Sequence, residues 1–105
     1  MKTFNEIREN VIENGVTYEN VVALYNYAKA TIKEVKTEFN AVKEKALKGA
    51  ITEDDINVIV NYKNVISYNK SIVSMTRFTA IKGEEYFNDK FNVVKESVEK
   101  YWGSF

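Results

Sequence analysis

Proline is absent from this chain, and glycine occurs at only four positions, 15, 49, 83 and 103. These two residue types supply most turns, so a chain that has so few of them has little material for loops. The glycines separate the 105 residues into four uninterrupted segments. In each segment apolar residues recur at spacings of three and four, the period of an amphipathic α-helix. The sequence therefore predicts an all-α protein, with about four-fifths of its residues in helices, against about one-third in average globular proteins.

The second segment carries the longest apolar repeat. Thr17 is its predicted N-cap, and Lys48-Gly49 is its predicted end. A period of 3.5 residues predicts a helix that packs along a partner helix with a left-handed supercoil. Phe39 lies within this repeat and is predicted to be buried, so its replacement by Ala should cost about 3–5 kcal/mol. The repeat consists of Tyr18, Val21, Tyr25, Ala28, Ile32, Val35, Phe39, Val42 and Ala46.

The third segment is predicted to be a helix from Thr52 to Lys82. Its β-branched residues between positions 56 and 66 also suit a strand, but strict alternation is missing and the segment is too long for one. Its apolar stripe comprises Ile59, Tyr62, Ile66, Asn69, Val73, Thr76 and Ala80. Asn69 has two possible roles: a buried polar residue that sets helix register, or an edge residue if the stripe centres on Val65 and Ile72.

Two shorter helices are predicted at the ends of the chain. The first runs from Thr3 to Asn14 and opens with a capping box, in which Thr3 and Glu6 satisfy free backbone N–H groups. The last runs from Glu84 to about Trp102. Its apolar residues repeat at spacings of four and three, at Phe87, Phe91, Val94, Val98 and Tyr101.

These four helices are expected to form one domain, residues 1–105. Residues 17–48 and 52–82 are about equally long and share a tight connection, which predicts an antiparallel helical hairpin. The short first helix and the last helix both join the hairpin at the end opposite Gly49. They are expected to pack there and complete a four-helix-bundle-like end. The hairpin between Lys36 and Lys70 should then be covered less completely, either as an exposed tip or beneath another chain.

The composition excludes several kinds of chemistry. The chain has no Cys and no His, which removes thiol chemistry, the commonest general base and the commonest metal ligands. The densest acidic cluster, Glu53-Asp54-Asp55, could serve a divalent cation through oxygen ligands. Its simpler interpretation is favourable charge at a helix N-terminus. No glycine-rich phosphate loop is present. We therefore expect no enzymatic activity, no cofactor and no metal.

Charge is balanced overall but unevenly distributed. Fifteen basic and fifteen acidic residues give a formal net charge of zero, which argues against a dedicated nucleic-acid binder. Residues 29–48, however, carry six Lys and three Glu, for a net charge of +3. Lys29, Lys36 and Lys43 share one heptad position beside the apolar repeat of the second segment, and we call them the lysine column. Their ammonium groups could pair with neighbouring acidic groups. Alternatively, the lysine column could bind an acidic partner or a nucleic-acid backbone.

Five aromatic residues lie outside or beside the predicted stripes, namely Tyr27, Tyr68, Phe78, Tyr86 and Trp102. Exposed Tyr and Trp are favoured anchors of protein interfaces. Because the first helix is short, a partner is expected along the hairpin. The predicted partner-binding residues are Tyr27, Lys29, Lys36, Lys43, Tyr68 and Trp102.

The expected function is that of a non-enzymatic protein–protein interaction module. Lys makes up thirteen of the fifteen basic residues, and Asn, Ile and Tyr are frequent, as in AT-rich genomes of low-GC bacteria and their phages. We therefore expect a phage or mobile-element protein that inhibits or modulates a host protein, or an assembly component. The alternatives are a self-assembling structural homo-oligomer, and a weak nucleic-acid-associated protein that uses the lysine column. No segment is apolar enough to span a membrane and no cleavable secretory signal is evident, which predicts a cytoplasmic location, the host cytoplasm if phage-encoded.

Overall fold

A computed structural model describes residues 2–102, Trp102 through its backbone alone. It contains four helices, α1 (Phe4–Asn14), α2 (Tyr18–Leu47), α3 (Glu53–Lys82) and α4 (Glu84–Trp102). Among the described residues 89% are helical, and none is in a strand. The predicted all-α class and all four segments are thus confirmed, with boundaries that differ by at most one residue.

Threonine begins three of the helices, and glycine follows the end of two. The side chains of Thr3, Thr17 and Thr52 each accept a hydrogen bond from a backbone N–H of the first turn, which satisfies a donor that the helix itself leaves free. Gly15 and Gly83 end α1 and α3 with φ of 76° and 94°. Only glycine adopts such angles without strain, so these two positions fix where the chain turns.

The α2 and α3 helices form the predicted antiparallel hairpin, and the short helices pack at its open end. The α1 helix lies against α2, where the rings of Phe4 and Tyr27 approach to 5.8 Å. The α4 helix lies against α3 and also touches α2. One hydrophobic cluster joins residues from all four helices: Ile7, Val11, Val16, Val21, Leu24, Ala28, Ile72, Phe87, Val94 and Val98. The predicted bundle-like end is therefore present.

The other half of the hairpin is only two helices thick. We call residues 33–67 the distal hairpin. The main cluster takes no residue between Ala28 and Ile72, and only Val42, Asp55 and Ile66 are buried within the distal hairpin. The molecule is accordingly elongated, with extents of 53 × 24 × 22 Å. The predicted gap in coverage is confirmed.

The apolar repeat predicted for α2 and the apolar stripe predicted for α3, together called the seam, account for the buried residues only in part. At the open end Leu24 is 1% exposed although it lies outside the seam, because α2 there contacts α1 as well as α3. In the distal hairpin the effect is reversed: Ala46 and Ile59 belong to the predicted stripes yet are exposed. Two helices alone cannot enclose the whole apolar face of either one.

Phe39 is half-buried rather than fully buried, which corrects the sequence-based expectation. Its ring stacks on Tyr62 across the hairpin, with ring centroids 4.1 Å apart. Water still reaches part of the side chain, since no third helix covers this pair.

We expect two Phe→Ala substitutions to have unequal costs. Phe87→Ala empties a site that is 4% exposed and should lower the free energy of unfolding by about 3–5 kcal/mol. Phe39→Ala should cost less, roughly 1–2 kcal/mol, because the ring is only half-buried and its stacking on Tyr62 adds about 0.5–1.5 kcal/mol to the little burial that is lost. Urea denaturation followed by circular dichroism measures both. Equal losses would mean that the distal hairpin is as well covered as the bundle-like end.

Candidate interaction surface on the distal hairpin

The distal hairpin exposes five large aliphatic side chains. Val60 is 63% exposed and Ile56 is 50% exposed. Near the turn, Leu47 is 81% exposed and Ile51 is 41% exposed. Ile59, also 41% exposed, lies next to Ile56 and Val60 at helical spacing. Single exposed aliphatics are normal on a protein surface, but a group of neighbours suggests an interaction site.

Four exposed residues of α3 lie on one face at spacings of three, four and three. We call Glu53, Ile56, Val60 and Lys63 the α3 stripe; all four are exposed. The stripe places an acidic residue at its N-terminal end, two aliphatics in the middle and a basic residue at its C-terminal end. It is offset from the buried stripe of the same helix, so it faces away from α2.

One member of the acidic cluster at the start of α3, Asp55, has a structural role at the turn. The Asp55 carboxylate accepts a hydrogen bond from the Thr52 backbone N–H at 3.0 Å, and the Thr52 hydroxyl accepts one from the Asp55 N–H at 3.3 Å. Lys45 reaches across from α2, with its ammonium nitrogen 3.3 Å from both carboxylate oxygens. Asp55 thus completes a capping box with Thr52 and also links α3 to α2 through Lys45. Within residues 2–102 no group of three carboxylates is arranged to hold a metal ion.

These contacts hold the pKa of Asp55 below its ordinary value. The Thr52 backbone N–H is the largest cause, because it favours the ionised carboxylate. Partial burial acts in the opposite direction, while the Thr52 side chain and the Lys45 ammonium lower the pKa further.

The three lysines of the predicted column all have exposed side chains on α2. Lys29 lies over the ring of Tyr25, with its nitrogen 5.5 Å from the ring centre. Within the described chain, Lys29, Lys36 and Lys43 form no ion pair with a carboxylate. Their charge is therefore not neutralised locally, which leaves the column able to attract an acidic surface.

The predicted aromatic anchors do not join the lysines in one site. Tyr27 is half-buried at the bundle-like end, where it packs on Phe4 and the main cluster. Tyr68 is 41% exposed, and its hydroxyl donates a hydrogen bond to the backbone oxygen of Tyr101 at 3.4 Å. The side chain of Trp102 lies outside the described residues.

The α3 stripe was not recognised from the sequence. A second series of residues at 3-4-3 spacing, displaced from the core stripe, was the available signal. It was obscured by the β-branched residues between positions 56 and 66, which make several faces of α3 apolar at once.

A narrow cleft of about 200 Å³ opens between the two helices of the distal hairpin. Pockets for drug-sized ligands are commonly larger, about 300–1,000 Å³. The cleft has mixed polar and apolar walls, formed by Val35, Glu38, Asn57, Val58, Asn61, Tyr62 and Val65.

No family model matches this chain, and no curated protein or solved structure matches it either. Among residues 2–102, no helix combines the length and the apolar character needed to cross a membrane. The interpretation of the distal hairpin therefore comes from its own geometry and charge.

We expect Asp55→Asn to destabilise the protein in a pH-dependent way. A lowered folded-state pKa stabilises the fold above the unfolded pKa, near 3.8, and this stabilisation is lost as pH falls through the folded-state value. The variant should therefore be less stable than the parent at neutral pH, and the difference should shrink in acid. Urea midpoints measured from neutral pH to pH 3 test this, because the range crosses the unfolded pKa.

Asp54→Asn is the matched control for this experiment. Asp54 is exposed in the same helical turn and, within the described chain, has no hydrogen bond or ion pair. It should lose only its interaction with the helix dipole. If both variants lost the same stability with the same pH dependence, the capping box and the Lys45 contact would not be the cause.

Proposed function

We propose that this chain is a non-enzymatic protein–protein interaction module whose distal hairpin binds a partner protein. The observation that carries the proposal is the two-layered distal hairpin, with five aliphatic side chains exposed on a surface that no other helix covers. Such a surface costs solubility when it remains in contact with water, so its presence favours a binding role.

Charge indicates what kind of partner suits the α2 side. Residues 29–48 carry a net charge of +3, and the three column lysines have no carboxylate partner within the described chain. A partner with an acidic, partly apolar surface complements this arrangement. Opposite charges mainly speed association and orient the two proteins, while apolar contacts supply most of the affinity.

The proposed biological setting follows from composition. Lys, Asn and Ile usage is that of AT-rich genomes, which suits a phage or mobile-element protein working in the host cytoplasm. In that setting the module would inhibit or modulate a host protein, or take part in an assembly. The alternative functions are a self-assembling structural protein and a weak nucleic-acid-associated protein. Nucleic-acid binding through the lysine column would weaken steeply with salt.

Position-specific cross-linking in cells of the native host tests the proposed binding surface. A photoreactive amino acid is placed at Lys36 on the distal hairpin or, as the control, at Lys95, an exposed position on α4. We expect cross-links to another protein from position 36 and few from position 95. Cross-links confined to position 95 would place binding at the terminal end and contradict the proposal.

Once a cross-linked partner has been identified, two variants distinguish the effect of charge on the association rate from the effect of an aromatic side chain on affinity. Lys36→Glu should mainly slow association, and should do so less at high salt. Tyr68→Ala should cost about 2 kcal/mol of binding free energy if this side chain is an anchor. Tyr27→Ala is expected to weaken binding too, but Tyr27 packs on Phe4, so this variant also loses stability. If Lys36→Glu and Tyr68→Ala both leave the association rate and the affinity unchanged, Lys36 and Tyr68 are not part of the interface.

A further inference from the structure

The α3 stripe has a charge order that complements a second copy of itself. Along the helix it runs from acidic to apolar to basic, at Glu53, Ile56, Val60 and Lys63. When two such helices pack antiparallel, the order of one stripe is reversed relative to the other. The acidic end of each then faces the basic end of its partner, and the apolar residues meet in the middle.

We propose that the distal hairpin forms an antiparallel homodimer in which the α3 stripes of two copies face each other across a two-fold axis that crosses the helices at the level of residue 58. This inference rests on the proposed role of the distal hairpin as an interaction surface and names the partner of its α3 side. In this register Glu53 faces Lys63 of the second copy, and Ile56 faces Val60 of the second copy. Each contact occurs twice, as two-fold symmetry requires.

The spacing of the stripe fits the packing of antiparallel helices. Residues at spacings of three, four and three form successive a and d layers of a heptad seam, and each a position of one antiparallel helix packs against a d position of the other. Ile59, 41% exposed, lies beside this seam and close to the two-fold axis. It would be covered by the second copy, which explains why an aliphatic residue there remains exposed in the single chain.

The shape of the single chain leaves room for this dimer. The α4 helix ends near Tyr68, where the Tyr68 hydroxyl contacts the Tyr101 carbonyl. In the proposed register, residue 63 of the second copy lies level with Glu53, the first residue of α3, so residue 68 of the second copy lies past the turn of the first. The two bundle-like ends would therefore project in opposite directions, and only the distal hairpins would overlap.

Charge balance and size indicate a reversible dimer. Residues 33–67 carry six Lys and six acidic residues, so two distal hairpins have no net repulsion. The contact uses little more than one exposed helical face over about three turns, at the small end of specific interfaces, which usually bury about 800 Å² per partner. We therefore expect a dissociation constant in the micromolar range, weakened by salt because the ion pairs lie at the surface.

Sedimentation equilibrium of the full chain over the micromolar range provides the first test. The parent should shift from monomer to dimer with concentration. Val60→Asp should abolish the shift. Ile81→Asp is the matched control, because Ile81 is 64% exposed on the same helix but lies at the bundle-like end, against 63% for Val60. A parent that remains monomeric throughout, or a dimer that Ile81→Asp disrupts and Val60→Asp does not, overturns the proposal.

Complementary charge reversals test the register itself. Glu53→Lys and Lys63→Glu each place like charges opposite each other twice, and each should weaken the homodimer about tenfold. Mixed together, the two variants carry opposite charges at both facing pairs and should form a heterodimer of nearly parental strength. Asp54→Lys makes the same change one residue outside the stripe and should have little effect. Circular dichroism confirms that each variant is folded. If mixing the two variants does not restore dimerisation, the register is wrong and the proposal fails.

This outcome is separable from that of the proposed function. If the chain is always monomeric but still cross-links to another protein through position 36, the homodimer proposal fails and the proposed interaction module stands. A dimer that responds to the stripe variants, without any cross-link to another protein, would support the second copy and contradict the partner proposed for α2.

Discussion

The length of the hairpin is the constraint on which the rest of the structure depends. Its two helices contain 30 residues each, about 45 Å at the rise of an α-helix. The helices available to cover it contain only 11 and 19 residues and join it at the same end. A closed core can therefore form only there, and the remaining turns of α2 and α3 have only each other. Both the elongated shape and the exposed aliphatics of the distal hairpin follow from this mismatch.

Two of the buried polar residues, Asn69 and Asp55, lie where the core narrows and beyond it. The Asn69 side chain is 5% exposed and donates a hydrogen bond to the Val65 carbonyl of its own helix, while its Oδ1 has no partner among the described residues. Asn69 is therefore buried rather than at an edge of the stripe, and its role in setting helix register stays a prediction. An imperfectly satisfied amide costs stability, but it disfavours helix registers that would place it against apolar residues only. Further toward the turn, the Lys45–Asp55 contact fixes how the helices end. The Lys45–Asp55 contact thus links the two helices in a part of the hairpin that has few buried apolar residues.

Helix ends were predictable from the sequence because they depend on local chemistry. Thr17 and Thr52 cap helices through their own side chains, and Gly15 and Gly83 turn the chain through backbone angles that other residues avoid. Burial was less predictable because it depends on which helices meet. Leu24 is buried in a cluster that residues of all four helices form, which a seam drawn for two helices does not include, and Phe39 is only half-buried because α4 ends before it. The lysine column was evident from its heptad spacing, whereas the α3 stripe was hidden by the apolar residues around it.

The two helices of the distal hairpin carry opposite charge toward the turn, and this distribution limits how other molecules can approach. The last turns of α2 are rich in Lys, while α3 begins with three acidic residues in succession. An approaching surface of one sign is therefore attracted to one helix and repelled by the other. A uniformly acidic surface, whether of a protein or of nucleic acid, would be attracted to the end of α2 and repelled by the start of α3. In the proposed homodimer, a second copy avoids this conflict only when it arrives antiparallel, since that orientation alone would match Glu53 with Lys63 at both ends of the apolar contact. On that proposal, the charges of the distal hairpin select the orientation of the second copy, and its exposed aliphatic residues supply the contact area.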